Sequence, residues 1–250
     1  MLTVFQRRFI YPAPPPSVMQ PGPMQQVELS TSDGILLAAL YRPADQNRPT
    51  VIFFHGNGDS LLGAGQATRG LAARGYGLLL VEYRGYGGNS GSPSEAGMYA
   101  DARAALAFLH RQGLADTAIY AMGNSLGSGP ATQLATEQPL AGLILVSGYR
   151  SLADVVAEKT RLPIGFLVRD KFENGRKLQA APIPVLILHG DADRVIPVDH
   201  GRTLAVLRQG IAYREFAGVG HELAYLPMSQ AATVEWLDRQ WQPPAAKPSQ

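Results

Sequence analysis

The sequence contains no cysteine, which excludes disulfide bonds, a cysteine nucleophile and thiolate ligands for a metal. No apolar segment approaches the ~20 residues that a transmembrane helix needs. The apolar core of a signal peptide is also missing, because the polar stretch Gln6-Arg7-Arg8 interrupts the first apolar segment. The formal net charge is only +2, without long runs of lysine or arginine, so a nucleic-acid partner is not indicated. These absences predict a cytoplasmic protein.

The composition that remains is typical of a folded α/β domain. Apolar residues make up 46% of the 250 residues and charged residues 17%, which is enough apolar material for a substantial core. The length fits one domain of this class. We therefore predict a proline-rich, extended arm without helix over residues 1–25, one domain over 26–241, and a disordered tail over 242–250.

Short apolar segments alternate with longer segments of helical periodicity. Strands are predicted at 26–31, 35–41, 50–54, 77–83, 118–122, 142–147, 184–189 and 212–217. Helices are predicted around 60–74, 94–112, 126–137, 198–208 and 228–240. The Asp33-Gly34 turn predicts that the first two strands form a hairpin. The later strands lack polar alternation, which indicates a mostly parallel, eight-stranded sheet with helices on both faces.

The tripeptide Gly-Asn-Ser occurs twice, ending at Ser90 and at Ser125. Ser90 lies among glycines with no strand or helix beside it, and it is predicted to be a loop serine. Ser125 lies between the strand at 118–122 and a predicted helix, within the pattern Gly-Asn-Ser-Leu-Gly. This is the G-x-S-x-G turn that raises a serine hydroxyl above a sheet. A helix-capping serine is the alternative, but the strand-turn-helix setting favours a nucleophile.

A serine nucleophile needs a base and an acid that orients the base. His221 follows the last predicted strand in a glycine-rich turn, from which its side chain can reach over the sheet edge, so it is the candidate base. The other histidines (55, 110, 189 and 200) are predicted to serve turns and helices. Asp191 and Asp193 both follow the strand at 184–189. Asp191 is placed to hydrogen-bond the backbone of its own turn, whereas Asp193 lies far enough from the strand to approach His221.

The segments VIFFHGNGDS, YRGYGGNSG, GNSLGSG, LILHGDADRVIP and GHE, with the order Ser125, Asp193, His221, resemble the α/β-hydrolase superfamily. The resemblance covers about residues 26–240 and is greatest to a short-lidded group that includes bud-emergence-related proteins and depalmitoylases. It implies an α/β-hydrolase fold with a short lid insertion at about 148–183. It also implies a Ser125 nucleophile, an Asp193 acid and a His221 base, with an oxyanion hole formed by the backbone N–H groups of Asn57 and Leu126.

Relatives in this group commonly carry a membrane-spanning helix just before a stretch that resembles FQRRFIYPAP. The present sequence begins inside that region. We therefore expect either a shortened start or a variant without the helix, and membrane association stays open.

The predicted activity is hydrolysis of a carboxylic ester or thioester, or of an amide, through an acyl-enzyme on Ser125. The substrate would be a small molecule or an acyl group, and the chemistry requires no cofactor or metal. A non-catalytic binding or scaffold protein of the same fold is the alternative. A zinc hydrolase using His55, His189 and Asp191 is disfavoured because ligand spacing such as H-E-x-x-H is missing. A dehalogenase is disfavoured because Ser125 stands where a carboxylate nucleophile would be.

The predicted lid insertion is basic. Between Tyr149 and Lys177 it contains seven basic and four acidic residues. This excess suggests anionic or membrane-surface substrates, with an ordinary solvated surface as the alternative.

Overall fold

The computed structural model describes residues 7, 10–14 and 23–242. Its strands are β1 (Gln25–Ser30), β2 (Leu36–Arg42), β3 (Thr50–Phe54), β4 (Gly77–Val81), β5 (Ile119–Asn124), β6 (Gly142–Val146), β7 (Val185–Gly190) and β8 (Ile211–Phe216). They form one sheet in the order β1-β2-β4-β3-β5-β6-β7-β8. The predicted eight-stranded sheet is therefore confirmed.

Strand direction also follows the sequence pattern. β1 and β2 form the predicted antiparallel hairpin, in which Ser30 lies opposite Leu36 and Gly34 adopts a φ of +82° that favours glycine. β2 also runs antiparallel to β4. All other pairs are parallel. Every residue of β3 to β7 is buried, as expected for strands covered on both faces.

Helices cover both faces of the sheet. They are α1 (Leu61–Ala72), α2 (Glu95–Arg111), α3 (Ser128–Glu137), α4 (Leu152–Thr160), α5 (Asn174–Ala180), α6 (Val198–Ala205) and α7 (Pro227–Gln240). Alternate residues of the central strand β3 enter different cores. Val51 and Phe53 pack with α1 and α7, whereas Ile52 and Phe54 pack with α2 and α3. In the part of the chain that is described, none of the helices has the length and hydropathy that crossing a bilayer requires.

The insertion at 148–183 contains two helices, α4 and α5, that the sequence pattern did not predict. In α4 only Val155 is buried, and in α5 only Asn174 and Leu178 are. So few buried positions leave no helical periodicity for a sequence pattern to show.

The N-terminal arm differs from the expectation of an extended segment without helix. Arg7 and Ile10 have helical geometry, and the Tyr11 N–H donates a hydrogen bond to the Arg7 carbonyl at 2.8 Å. The ring of Tyr11 is buried in the core. The rest of the predicted arm at 1–6, 8–9 and 15–22, and the predicted tail at 243–250, lie outside the described residues.

Candidate active site

The candidate nucleophile lies in a strained turn between β5 and α3. β5 ends at Asn124, and a single 3₁₀ turn over Ser125–Gly127 leads into α3. Ser125 itself has a φ of 50°, a left-handed conformation that is costly for a residue with a side chain. Such strain persists only where the surrounding structure holds it, and it is concentrated at functional sites.

The two glycines of the Gly-Asn-Ser-Leu-Gly pattern are required by close backbone contacts. A Cβ atom on Gly123 would lie 2.3 Å from the carbonyl oxygen of Gly127. A Cβ atom on Gly127 would lie 2.0 Å from the carbonyl oxygen of Phe54. Neither position accepts a side chain without movement of the backbone, which gives the motif spacing its physical basis.

Ser125, His221 and Asp193 form one hydrogen-bonded chain. The His221 Nε2 atom lies 2.9 Å from Ser125 Oγ, and His221 Nδ1 lies 2.7 Å from Asp193 Oδ2. His221 begins a short 3₁₀ helix after β8, which directs its ring back across the strand ends. With the proton assigned to Nδ1, the ring donates to the carboxylate and accepts from the serine hydroxyl. This is an arrangement that can activate a hydroxyl as a nucleophile.

Asp193 is buried, and both of its carboxylate oxygens have hydrogen-bond partners. Its Oδ1 atom accepts the backbone N–H groups of Val195 at 2.8 Å and Ile196 at 2.9 Å. Burial by itself raises the pKa of the Asp193 carboxyl. The hydrogen bond and charge of His221 and the two backbone N–H groups outweigh burial and hold this pKa below its usual range. The carboxylate is therefore charged and fixed in orientation.

Asp191 has a different partner from the one predicted. Its Oδ1 atom accepts the backbone N–H of Gly218 at 2.6 Å. Gly218 belongs to the loop that leads from β8 to His221, so the prediction of a bond within the turn of Asp191 itself is wrong. The carboxylate reaches across because β7 and β8 are neighbouring parallel strands whose ends lie side by side.

The loop after β3 runs beside the serine. A Cβ atom on Gly56 would lie 3.6 Å from Ser125 Cβ. Among the described residues, no protein acceptor pairs with the backbone N–H of Asn57 or of Leu126. The Leu126 N–H is free because it opens a helical turn, and the Asn57 side chain is anchored by the Tyr86 hydroxyl at 2.9 Å. Both N–H groups are thus available to an anionic oxygen.

A buried pair that sequence reasoning missed supports this loop. His55 Nε2 lies 2.8 Å from Glu82 Oε1, and His55 Nδ1 lies 2.8 Å from the Gly56 carbonyl oxygen. The second carboxylate oxygen accepts the Leu61 N–H at the start of α1. The signal was present in the sequence, because Glu82 directly follows the apolar segment of β4, the neighbour of β3.

Side chains of the lid insertion are hydrogen-bonded to the turn that carries Ser125. The Ser128 hydroxyl donates to the Ser125 carbonyl oxygen at 2.7 Å, and Asn174 Nδ2 of α5 donates to Ser128 Oγ at 3.2 Å. The hydroxyl of Tyr149 donates to the Leu126 carbonyl oxygen at 3.2 Å. Burial raises the pKa of Tyr149, so this phenol remains a neutral donor. These side chains connect the insertion to the turn that carries the serine.

The remaining candidates lie elsewhere. Ser90 is exposed in its loop. His110 contacts Asp116 at the surface. The histidines of the zinc alternative are engaged by protein oxygens, and across residues 7, 10–14 and 23–242 no three potential ligands form a metal-binding group.

Comparison with known proteins agrees with the fold. A family model described as "Serine aminopeptidase, S33" matches residues 45–167. An uncharacterized protein of Mycobacterium tuberculosis is 38% identical over 229 residues, which cover 86% of this chain and 80% of that protein. The human alpha/beta hydrolase domain-containing protein 17B is 34% identical over 177 residues, covering 70% of this chain and 60% of that protein.

Solved structures show the same architecture. An esterase of Pyrococcus furiosus superposes with a TM-score of 0.75 at 18% sequence identity, covering 92% of this chain and 99% of the esterase. A predicted CIB-like hydrolase of Thermoplasma acidophilum superposes with a TM-score of 0.66 at 19% sequence identity. The superposition covers 86% of this chain and 98% of that hydrolase. The chain has the α/β-hydrolase fold, and it belongs to the α/β-hydrolase superfamily.

Proposed function

We propose that this protein is a serine hydrolase that cleaves a carboxylic ester or thioester through an acyl-enzyme on Ser125. The observation that carries the proposal is the hydrogen-bonded chain from Asp193 through His221 to Ser125, with distances of 2.7 and 2.9 Å. The strained turn at the serine and the unpaired N–H groups of Asn57 and Leu126 support the same chemistry.

In the first half of the reaction, His221 Nε2 takes the proton of Ser125 Oγ as that oxygen attacks the substrate carbonyl carbon. The carbonyl π electrons move to the oxygen, which receives hydrogen bonds from the N–H groups of Leu126 and Asn57. Each such donor contributes about 3 kcal/mol to transition-state stabilisation in comparable enzymes. Asp193 stabilises the imidazolium. His221 then returns its proton to the departing alcohol or thiol, and the acyl group remains on Ser125.

In the second half, water enters and His221 removes one of its protons as the water oxygen attacks the acyl carbon. The same N–H groups bind the second oxyanion. When this tetrahedral intermediate breaks down, Ser125 Oγ is expelled and recovers the proton from His221, and the carboxylic acid leaves. Every step uses groups of this chain and needs no cofactor or metal. An amide is a harder substrate, because its nitrogen must be protonated before it departs.

We further propose that the chain belongs to the short-lidded bud-emergence-related and depalmitoylase-like group. The support is the set of motifs around His55, Ser125, Asp193 and His221, and an insertion limited to about 148–183. We propose that so short an insertion suits acyl substrates attached to a large carrier.

Labelling with a fluorophosphonate probe tests the proposal. The wild-type protein and Ser90→Ala are expected to react and to hydrolyse activated esters, because Ser90 is exposed and no described histidine hydrogen-bonds its hydroxyl. Ser125→Ala is expected to lose labelling and to lower turnover by about 10⁴-fold or more. Esters and thioesters of graded acyl length then define the substrate. A folded wild-type protein that neither labels nor turns over any of them would favour the binding or scaffold alternative.

A further inference from the structure

The lid insertion exposes large apolar side chains to solvent. Phe166 is 76% exposed and Leu162 is 56% exposed, and Val195 in the loop after β7 is 46% exposed. A single exposed apolar residue needs no explanation, but several on one surface mark an interaction site.

The insertion residues belong to one compact turn packed on α4. The Ile164 N–H donates to the Leu162 carbonyl oxygen at 2.8 Å, and the Leu167 N–H donates to the Ile164 carbonyl oxygen at 2.9 Å. Gly165 packs directly on α4, where a Cβ atom would lie 2.8 Å from the Ala153 carbonyl oxygen. Leu162 and Phe166 therefore lie in the same short turn, and both side chains are exposed.

This surface adjoins the candidate active site. Lys159 Nζ, at the end of α4, contacts the carbonyl oxygen of Arg194. The next residue, Val195, donates its N–H to Asp193 Oδ1 at 2.8 Å. The apolar turn and the loop that carries the catalytic acid are thus neighbours. We call the surface formed by Lys159, Arg161, Leu162, Phe166, Arg194 and Val195 the lid face.

The charges of the lid face have one sign. Lys159, Arg161 and Arg194 are exposed, and none forms a salt bridge with a carboxylate in the described part of the chain. The acids of α4 are used elsewhere, since Arg150 pairs with Asp154 at 3.7 Å and with Glu158 at 2.7 Å. Lys159 Nζ contacts a carbonyl oxygen, which carries no full charge, so no described carboxylate neutralises the three cations.

That combination complements an anionic lipid surface. Its headgroup phosphates attract cations, and its acyl region accepts apolar side chains within a few ångströms of the headgroups. A purely apolar protein partner would leave three cations to be desolvated without compensation. Charge complementarity therefore favours an anionic occupant, and a lipid surface supplies both the anionic groups and an apolar layer for Leu162 and Phe166.

We propose that the lid face docks this protein reversibly on an anionic lipid surface, so that the candidate active site opens next to acyl chains held there. The docking itself does not depend on hydrolysis. The consequence for substrates, that they are acyl esters or thioesters presented at such a surface, rests on the proposed function.

Vesicle flotation with Ser125→Ala tests docking without lipid hydrolysis. The protein is expected to float with vesicles of phosphatidylglycerol and phosphatidylcholine but not with phosphatidylcholine alone, and added salt weakens the binding. In this background Phe166→Ser is expected to lower the partition coefficient by about tenfold or more, and Arg161→Gln by about fivefold. Val206→Ser is the matched control, because Val206 is 81% exposed at the end of α6 and outside the lid face.

Docking is contradicted if neither vesicle carries the protein, or if Phe166→Ser and Arg161→Gln bind as tightly as the parent. It is also contradicted if sedimentation shows a dimer that Phe166→Ser dissociates while vesicles bind nothing, since the lid face would then join two copies of the chain.

Turnover separates the substrate inference from docking. In the protein with an intact Ser125, Phe166→Ser is expected to slow hydrolysis of a long-chain ester embedded in anionic vesicles by about tenfold, while a soluble short-chain ester is hydrolysed at the wild-type rate. If the protein docks on vesicles but hydrolyses neither ester, the proposed function is overturned and the docking proposal still stands. Equal slowing of both esters overturns the substrate inference alone.

Discussion

Two aspartates that follow the same strand have different partners, and the difference predicts different phenotypes. Asp193→Asn is expected to lower kcat/KM by about 10⁴-fold, because an amide no longer fixes the tautomer of His221. Asp191→Asn is expected to retain turnover and to lose about 1 kcal/mol of stability with the bond to Gly218. Steady-state kinetics and thermal melts on both variants check this. Catalytic collapse at Asp191 with near-normal turnover at Asp193 would reverse the assignment.

His189 predicts how stability changes with pH. Its Nε2 atom contacts the Ile196 carbonyl oxygen, whereas its Nδ1 atom has no hydrogen-bond partner among the described residues and lies against Gly201. Burial lowers the pKa of His189, and the hydrogen bond to Ile196 and the charge of Asp193 offset this only in part. The folded protein therefore keeps this ring neutral below the ordinary pKa of 6.5, while the unfolded chain takes up a proton.

The stabilisation from the neutral His189 ring is complete above pH 6.5 and is lost as pH falls toward the lowered pKa. The free energy of unfolding is expected to fall by up to about 1.4 kcal/mol per pH unit in that range. Urea unfolding at intervals from pH 7.5 downward measures the slope, and His189→Gln should reduce it. An equal slope in the variant would assign the proton uptake to other groups, of which buried His200, with its pKa also lowered by burial, is the first candidate.

At the scale of elements, the turn between β5 and α3 leads to a prediction about glycine. Gly127→Ala places a Cβ atom 2.0 Å from the Phe54 carbonyl oxygen, so the turn that carries Ser125 and the end of β3 must shift apart. We expect a loss of about 3 kcal/mol or more of stability, because a backbone atom cannot rotate out of the way. Gly65→Ala in α1 is the matched control, since among the described residues no heavy atom lies within 4 Å of its Cβ position, apart from its two chain neighbours and the backbone of its own helix. Thermal melts compare the two, and equal stability would refute the packing argument.

The elements differ in how well the sequence predicts them. β3 to β7 were predictable because burial on both faces demands continuous apolar segments, which leave a clear pattern. The strand ends that carry Ser125 and Asp193 were predictable for the same reason, since parallel strands end at one edge. α4 and α5 were not, because they bury so few residues. The partner of His55 was missed because β3 and β4 are adjacent in the sheet but separated in sequence by α1.

At the scale of the whole molecule, the N-terminal arm connects parts that are distant in sequence. Arg7 donates from Nε and Nη2 to the two carboxylate oxygens of Asp170, at 3.0 and 3.3 Å. Asp170 also accepts the Glu95 N–H at the start of α2. The Pro12 carbonyl oxygen would lie 3.7 Å from a Cβ atom on Gly58, in the loop after β3. Proline content suggested an extended arm, and no local pattern reveals a partner 163 residues away.

Arg7→Gln should therefore loosen the arm and the loop after β3 together. The side chain of Arg7 is 45% exposed, so the ion pair contributes about 1 kcal/mol at most. The sharper expectation is faster hydrogen exchange at the N–H groups of Ile10, Tyr11 and Ala13 and in the loop at 56–58. If Asn57 serves the oxyanion as we propose, a looser Asn57 N–H is expected to lower kcat more than it raises KM, because hydrogen bonds to an oxyanion form only in the transition state.

Arg103→Gln provides the control for the arm, since Arg103 is 51% exposed and pairs with Glu137 on α3. It removes a similar surface ion pair without touching the arm. Exchange at 10–14 and the value of kcat should both stay at wild-type levels in this variant. If Arg7→Gln and Arg103→Gln give the same exchange pattern, the arm is held by burial of Tyr11 alone. If exchange rises only in Arg7→Gln but kcat does not fall, then the ion pair with Asp170 holds the arm, but the arm does not support the loop that carries Asn57.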